Sequence, residues 1–281
     1  MVYYQDQYCY YFRKPAGIPS SFGKERSFLD LLLTPLTHAP HEVAEKGGEG
    51  GSGSMEGIPT DIVQSLFTFF GTEKELWLLN RLDNETSGLL YFAKNPRVYK
   101  QFKEMQSAFL LSKYYIAEVY GDIRKFFHNP SSITPPPYQA TPLTGGSATN
   151  EGASVTVPLD KGEGAPTAVG AEGGLCKTKI QLPIAHHRYN PDRMVVVKQP
   201  SDRDKTKWIL HHLTTEIIEF QFLPASNTSI LLIGIQKGIR HQIRAHLASI
   251  GYPICWDTIY SKSDHKNYDT LQLFSVGVGT G

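Results

Sequence analysis

Three stretches of the sequence carry residue types whose spacing could do chemistry. The first is Asn80–Leu89, in which Asp83 lies between an apolar run and a Thr86-Ser87-Gly88 turn. A carboxylate at a strand end can be presented by a rigid scaffold into a cleft, where it can act as nucleophile or base. Arg81, two residues away, falls on the same side if the backbone is extended. The alternative is an ordinary turn aspartate that hydrogen-bonds its own loop. The second stretch is Gln236–Leu247, read as a helix over about 240–250. There Arg240 and Arg244 are i,i+4 neighbours, as are Gln242 and His246, while His241 and Arg244 are i,i+3. Cations at a helix start oppose the macrodipole, so this basic face points to an anionic partner, a phosphate or a carboxylate; the alternative is a solvated helix face. The third stretch is Lys113–Gly121, whose alternation places Lys113, Tyr115, Ala117 and Val119 on one face of a strand. A tyrosine there could stack on a planar base or simply pack in a core.

Other chemistries lack support. The pairs His186-His187 and His211-His212 do not make a metal site, because adjacent side chains point to opposite sides of a strand and no partner ligand sits at a suitable spacing. No metal is expected. No G-x-x-x-x-G-K-[ST] loop and no G-x-S-x-G elbow occur, and no G-x-G-x-x-G follows a strand, so nucleotide hydrolysis, dinucleotide redox and serine hydrolysis lack their usual signatures. The three cysteines, Cys9, Cys176 and Cys255, are widely spaced and odd in number, which fits a reducing compartment and no disulfide framework.

The elements that must position these residues follow from hydrophobic pattern and punctuation. Strands are expected at Tyr8–Arg13, Gly88–Ala93, Ser112–Tyr120, Lys177–Ile184, Arg193–Lys198, Glu216–Phe222 and Ser229–Ile235. Lys14–Gly17 closes the first as a turn, and the apolar run Leu76–Asp83 leads into the Thr-Ser-Gly turn. Short helices are expected at Ser27–Leu33 and Asp61–Phe70. A longer one is capped by Asn95 and opened by Pro96, with Val98, Phe102, Met105 and Phe109 along one face. In the last helix Ile243, Leu247 and Ile250 form the apolar seam, and Gly251 and Pro253 stop it. Strands outnumber helices, and the helices fall between strand clusters, an α+β pattern.

The chain has 281 residues, 28 Lys+Arg and 27 Asp+Glu, a net charge of +1. Two stretches, 40–58 and 141–175, hold 14 of the 25 glycines, show no hydrophobic period and read as flexible insertions. Pro135-Pro136-Pro137 stiffens the entry to the second, so that the whole insertion covers about 128–176. Each insertion carries a net −3, which leaves +7 on the rest of the chain, a moderately basic body behind an almost neutral average. No signal peptide and no apolar run long enough to span a membrane are read, so a soluble, cytoplasmic protein is expected.

Taken in order, Lys14–Gly17, Arg81–Leu89, Lys113–Gly121 and His241–Leu247 resemble the motifs of the RluA family of pseudouridine synthases. Asp192–Val197, Thr214–Phe220 and Gly251–Tyr260 are similar to the family's later segments, and the resemblance spans about residues 8–275 apart from the insertions. It implies a single catalytic domain over 1–281, with a mixed, mostly antiparallel sheet, flanking helices and a central catalytic cleft. With Lys14 so early, no separate N-terminal RNA-binding domain is expected. The reaction it implies breaks the N-glycosidic bond of a uridine in ribosomal or transfer RNA, rotates the uracil and rejoins it through C5. No cofactor is used, and the likeness goes with a monomer whose partner is RNA and which does not bind a membrane. The resemblance marks Asp83 as the catalytic carboxylate, Tyr115 as the cleft tyrosine and Arg244 as the cation that keeps Asp83 ionised. Arg81, Lys237, Arg240 and His241 are the expected RNA contacts. Two departures stand out: Asn80 replaces the family's usual His, in a position expected to support the loop, and Lys237-Gly238-Ile239 replaces Thr-Gly-Arg, so that an RNA contact is lost or moved to Arg240 or Lys237. Two other readings remain open at this point. One is a non-catalytic RNA-binding relative; the other is a hydrolase that pairs Asp83 with His241 or His246.

Overall fold

The computed structural model describes residues 3–20, 27–28, 77–128, 154–156, 173–261 and 269–280. The expected helix at Asp61–Phe70, the first insertion and most of Ser27–Leu33 lie outside the described residues. The chain divides into two compact units, Met1–Ala108 and Phe109–Gly281.

The first unit is built on an aromatic hairpin. Strands β1 (Tyr3–Gln5) and β2 (Cys9–Lys14) pair antiparallel, and the turn between them is closed by Asp6, whose Oδ1 accepts from the amides of Tyr8 and Cys9 at 2.7 Å each. Strand β3 (Ser87–Ala93) runs antiparallel to β2, from Cys9 opposite Ala93 to Lys14 opposite Gly88. Phe12 is fully buried and meets Phe92 edge-on at 5.5 Å, an arrangement the ring quadrupoles favour. Helix α1 (Pro96–Ser107) begins as expected: the Asn95 side chain accepts from the Val98 amide at 2.9 Å, and Pro96 opens the first turn, where its missing N–H is not needed. Its far end differs from the sequence reading. The helix stops at Ser107 with no residue fully buried, and Phe109, expected on its apolar face, is 52% exposed at φ 58°. The expected Thr-Ser-Gly turn is also moved. The turn lies at Asn84-Glu85, and Ser87 and Gly88 already belong to β3.

The second unit carries a strand run β12-β4-β11-β10-β6-β5, in which each pairing is antiparallel. Its members are β4 (Leu111–Tyr120), β5 (Ser154–Thr156), β6 (Gly173–Gln181), β10 (Thr215–Leu223), β11 (Thr228–Ile235) and β12 (Leu273–Thr280). Along β4, Leu111, Lys113, Tyr115, Ala117 and Val119 are buried, the face that alternation assigned. A smaller antiparallel sheet is ordered β8-β7-β9, from β7 (Pro183–His187), β8 (Met194–Val196) and β9 (Thr206–His212), the last preceded by a 3-10 turn at Pro200–Lys205. The single strand expected over Lys177–Ile184 is thus two strands in two sheets, broken at buried Leu182. The second insertion is not wholly irregular either, because Ser154–Thr156 pairs with Lys179–Gln181 as β5. A short helix α2 (Arg124–His128) follows β4, and α3 (Gln242–Ser249) follows β11. The architecture is α+β with a mostly antiparallel sheet.

Candidate active site

Asp83 sits in a loop that the strand β2 and its turn hold by named bonds. Lys14 ends β2 with its side chain fully buried, and its ammonium donates to three carbonyls: Ile18 at 2.7 Å, Pro15 at 2.9 Å and Asn84 at 3.0 Å. Gly17, at φ 81°, turns the chain so that its amide reaches the same Asn84 carbonyl at 2.8 Å; a side chain there would be strained. On the other side of Asp83, the Ser20 hydroxyl donates to the Leu82 carbonyl and accepts from the Leu82 amide, at 2.8 and 3.0 Å. The Thr86 amide returns to the Asp83 carbonyl at 3.1 Å, which closes the turn. One step earlier, Asn80 is 4% exposed and takes the place of a backbone pair: it donates to the Leu89 carbonyl and accepts from the Tyr91 amide. This is the loop support expected of that departure from the family pattern. Burial lowers the Lys14 pKa to about 8 against the opposing pull of the Asp83 and Glu85 carboxylates. Asp83 itself is half-buried and Arg81 is exposed.

In the second unit, Tyr115 is 7% exposed in the middle of β4, between Ile233 of β11 and Ser275 of β12. Arg244 is the residue on which the structure corrects the sequence most. The helix face read as basic and accessible is buried: Gln242, Arg244 and His246 are as enclosed as Ile243 and Leu247. The anion that Arg244 meets belongs to the protein. Its Nε and Nη2 donate to the two carboxylate oxygens of Asp257 at 2.8 Å each, with the two side chains 1% and 0% exposed. Asp257 Oδ1 also accepts from the amides of Ile259 and Tyr260 at 3.0 Å. Planar, bidentate pairing of this kind fixes both the position and the tilt of a guanidinium. The Tyr260 ring lies 5.6 Å from the Arg244 guanidinium carbon, and its hydroxyl accepts from the Met194 amide at 2.7 Å. Burial pushes the Tyr260 phenol up to about 12, so it stays protonated.

The other expected contacts divide. Lys237 and Arg240 are exposed, but Arg240 is not helical; it precedes α3 and binds the Pro191 carbonyl at 2.8 Å and Asp192 at 3.3 Å. Arg240 and Arg244 are therefore not i,i+4 neighbours on one helix, because His241 takes a left-handed conformation at φ 53° and the helix begins at Gln242. His241, expected at an RNA surface, is 4% exposed and stands edge-on to Tyr260. Ile239, where the family usually has Arg, packs against the buried cluster of Ile184, Met194 and Ala245, which accounts for an apolar residue at that point. His246 is enclosed between the Thr215 hydroxyl on Nδ1 at 2.8 Å and the Leu182 carbonyl on Nε2 at 2.9 Å. The carbonyl can only accept, so Nε2 carries the proton and Nδ1 accepts from the hydroxyl. Burial lowers its pKa to about 4, so the ring is held neutral with both nitrogens engaged.

Two charged residues of this arrangement escaped the sequence reading, Lys14 and Asp257. Both lie in segments already singled out, Lys14–Gly17 and Gly251–Tyr260, and the signal was a charged residue placed among aromatic and apolar neighbours.

The family model described as RNA pseudouridylate synthase matches residues 8–249. The chain is 26% identical over 93 residues to ribosomal large subunit pseudouridine synthase D of Zymomonas mobilis subsp. mobilis, a match covering 33% of this chain and 26% of that one. It is 23% identical over 265 residues to an uncharacterized RNA pseudouridine synthase of Aquifex aeolicus, covering 92% and 62% respectively. The matches thus span less than two thirds of either curated relative. Among solved structures, human RNA pseudouridylate synthase domain containing 1 is similar in fold, with a TM-score of 0.53 at 12% identity, over 97% of this chain and 75% of that one. With a family match running from β2 through α3, and therefore across both the Asp83 loop and Arg244, the chain belongs to the RNA pseudouridylate synthase family.

Proposed function

We propose that the protein is an RNA pseudouridine synthase that isomerises a uridine of ribosomal or transfer RNA, with Asp83 as the catalytic carboxylate. The observation that carries this reading is the family match over residues 8–249, which takes in Asp83, Tyr115 and Arg244 together. The reaction is an isomerisation: the N1–C1′ bond breaks, the uracil turns, a C5–C1′ bond forms, C5 loses a proton and N1 gains one. Asp83 acts at the sugar or the ring as nucleophile or base, on a loop held so that little reorganisation is needed at the moment of reaction. Tyr115 stacks on the uracil, and its hydroxyl is the second candidate for moving the C5 proton. Arg244 supplies the fixed positive charge, its plane set by Asp257. The uridine must leave its stack before any of this, at a cost of a few kcal/mol that phosphate contacts and stacking offset. Arg81, Lys237 and Arg240 are the proposed phosphate contacts, and the cytoplasm is the proposed compartment. The test is a comparison of pseudouridine maps of total RNA from cells with and without this gene. The expected result is a site lost from one RNA and restored by the wild-type gene but not by Asp83→Ala. Full restoration by Asp83→Ala would replace this reading with that of a non-catalytic RNA-binding relative.

A further inference from the structure

Tyr260 is half-buried where the small sheet, α3 and the Asp257 turn come together, and the proposed reaction gives it no part. β8 is an edge of the small sheet, and its Met194 amide donates to the Tyr260 hydroxyl at 2.7 Å rather than to a further strand. The Tyr260 side chain packs against the buried cluster of Ile184, Met194 and Ala245, which joins β7 and β8 to α3. The Tyr260 amide donates to Asp257 Oδ1 at 3.0 Å, the oxygen that also accepts from Arg244 Nη2 at 2.8 Å. The guanidinium carbons of Arg244 and Arg193 lie over the ring at 5.6 and 5.2 Å from its centre, within reach of cation–π attraction. Tyr260 therefore meets both halves of the buried ion pair. Its hydroxyl has a second neighbour, His241 Nδ1 at 3.2 Å. The hydroxyl oxygen accepts from Met194, and the phenol keeps its own proton because burial holds its pKa up at about 12. Among the described residues, His241 Nδ1 is the acceptor in reach of that proton, so the hydroxyl donates to it. A ring nitrogen that accepts carries no proton, so the imidazole is neutral with its proton on Nε2.

We propose that Tyr260 is the positioning residue of Arg244: its ring and its amide hold the Arg244–Asp257 pair in place, and its hydroxyl fixes His241 as the Nε2–H tautomer. This rests on the reading of Arg244 as the cation of the reaction and deepens it. Asp257 grips the guanidinium by one edge, Nε and Nη2, and the ring that the guanidinium carbon overlies is a second, independent restraint. The ring is in turn anchored by its hydroxyl to the Met194 amide. A neutral His241, three residues before Arg244, adds no further cation to compete for Asp257. A charge held ready in this way needs little reorganisation as the reaction proceeds, so loss of Tyr260 falls on turnover and spares the affinity for RNA.

The experiment compares the full chain with Tyr260→Phe and Tyr260→Leu by two kinds of readout. The first is nitrogen NMR of protein labelled with 15N histidine and arginine, with the His241 and Arg244 signals assigned from His241→Gln and Arg244→Lys. Wild-type His241 should carry its proton on Nε2, and Tyr260→Phe should lose that single form. Exchange of the Arg244 Nε proton with water should be about tenfold faster or more in Tyr260→Leu. The second readout is tritium release from C5-tritiated RNA taken from cells that lack this gene. Tyr260→Phe, which keeps the ring, should lower kcat about tenfold, the worth of one oriented hydrogen bond, with the apparent KM within about twofold of wild type. Tyr260→Leu should lower kcat on the order of a hundredfold. Asn95→Ala, which weakens the fold at the α1 cap, is the control for stability alone and should keep its kcat below its melt. A proton on Nδ1 of wild-type His241, or Arg244 exchange that is unchanged in both variants, overturns the proposal. So does a loss in Tyr260→Phe that falls wholly on KM, or one that Asn95→Ala matches at the same melting shift. The nitrogen readouts need no turnover, so the two readings fail separately. A wild type that releases no tritium refutes the enzymatic reading, while the His241 proton and the Arg244 exchange still decide what Tyr260 holds.

Discussion

Asp257→Ala tests how far the buried ion pair holds the second unit together. The substitution leaves the Arg244 guanidinium, 1% exposed, without the carboxylate that accepts from its Nε and Nη2 at 2.8 Å. Breaking a buried pair from one side costs about 3–5 kcal/mol, because the remaining charge keeps its desolvation penalty. The amides of Ile259 and Tyr260 lose their acceptor in the same step, a further loss on the order of 1 kcal/mol each. Against a usual folding stability of about 5–15 kcal/mol, this is a large fraction. Urea unfolding followed by tryptophan fluorescence, to which Trp256 beside the pair contributes with two other tryptophans, reads the change. The double variant Arg244→Met/Asp257→Leu is the informative companion. With both charges gone no desolvated ion is left, so it should be more stable than Asp257→Ala by about 1 kcal/mol or more. A loss below about 1 kcal/mol for Asp257→Ala, as in an exposed pair, or a double variant less stable than both single ones, would refute the reasoning.

Other expected outcomes follow from the same structure. His246 has a folded pKa of about 4 against an ordinary 6.5, so between those values the unfolded chain binds the extra proton and stability rises with pH; the contribution is complete above pH 6.5 and is lost as the pH falls toward 4, at a cost of about 3 kcal/mol. Urea midpoints measured from pH 7 to pH 4 should fall accordingly, and His246→Gln should flatten that decline. Lys14→Met removes the donor to three carbonyls around the Asp83 loop, and a stability loss of about 2 kcal/mol is expected by chemical denaturation, with a fall in turnover larger than the fall in RNA affinity. Asn95→Ala removes the α1 cap and should lower stability by about 1 kcal/mol with RNA conversion retained at temperatures below the melt.

The sequence made local structure readable where the cause is local. The Asn95-Pro96 start of α1 is a matter of adjacent residues, and the buried face of β4 follows from simple alternation through Lys113, Tyr115 and Ala117. The α3 helix misled because its polar residues find partners far along the chain. Arg244 is matched by Asp257, which lies in an irregular segment with no period, and His246 by Thr215 and Leu182 on two strands. A helix buried on every side reads as amphipathic when its buried polar groups are counted as surface. The break between β6 and β7 was hidden for a related reason: Leu182 is as apolar as a strand residue, and only the pairing of Pro183 with a different sheet separates the two. Within the candidate site, the carboxylate and its loop were legible through a motif, whereas the bracing by Lys14 and Ser20 depends on contacts across roughly seventy residues of chain and no spacing rule announces it.

The central claim is that this chain converts uridine in RNA to its C-glycoside with Asp83 as the essential carboxylate. The most direct measurement incubates the wild-type protein and Asp83→Asn with C5-tritiated uridine RNA and follows tritium released to water, with chromatography of the digested RNA. The account predicts release by the wild type in step with the appearance of pseudouridine, no free uracil, and no release by Asp83→Asn while it still binds the RNA. Undiminished release by Asp83→Asn, or free uracil in place of pseudouridine, would contradict it.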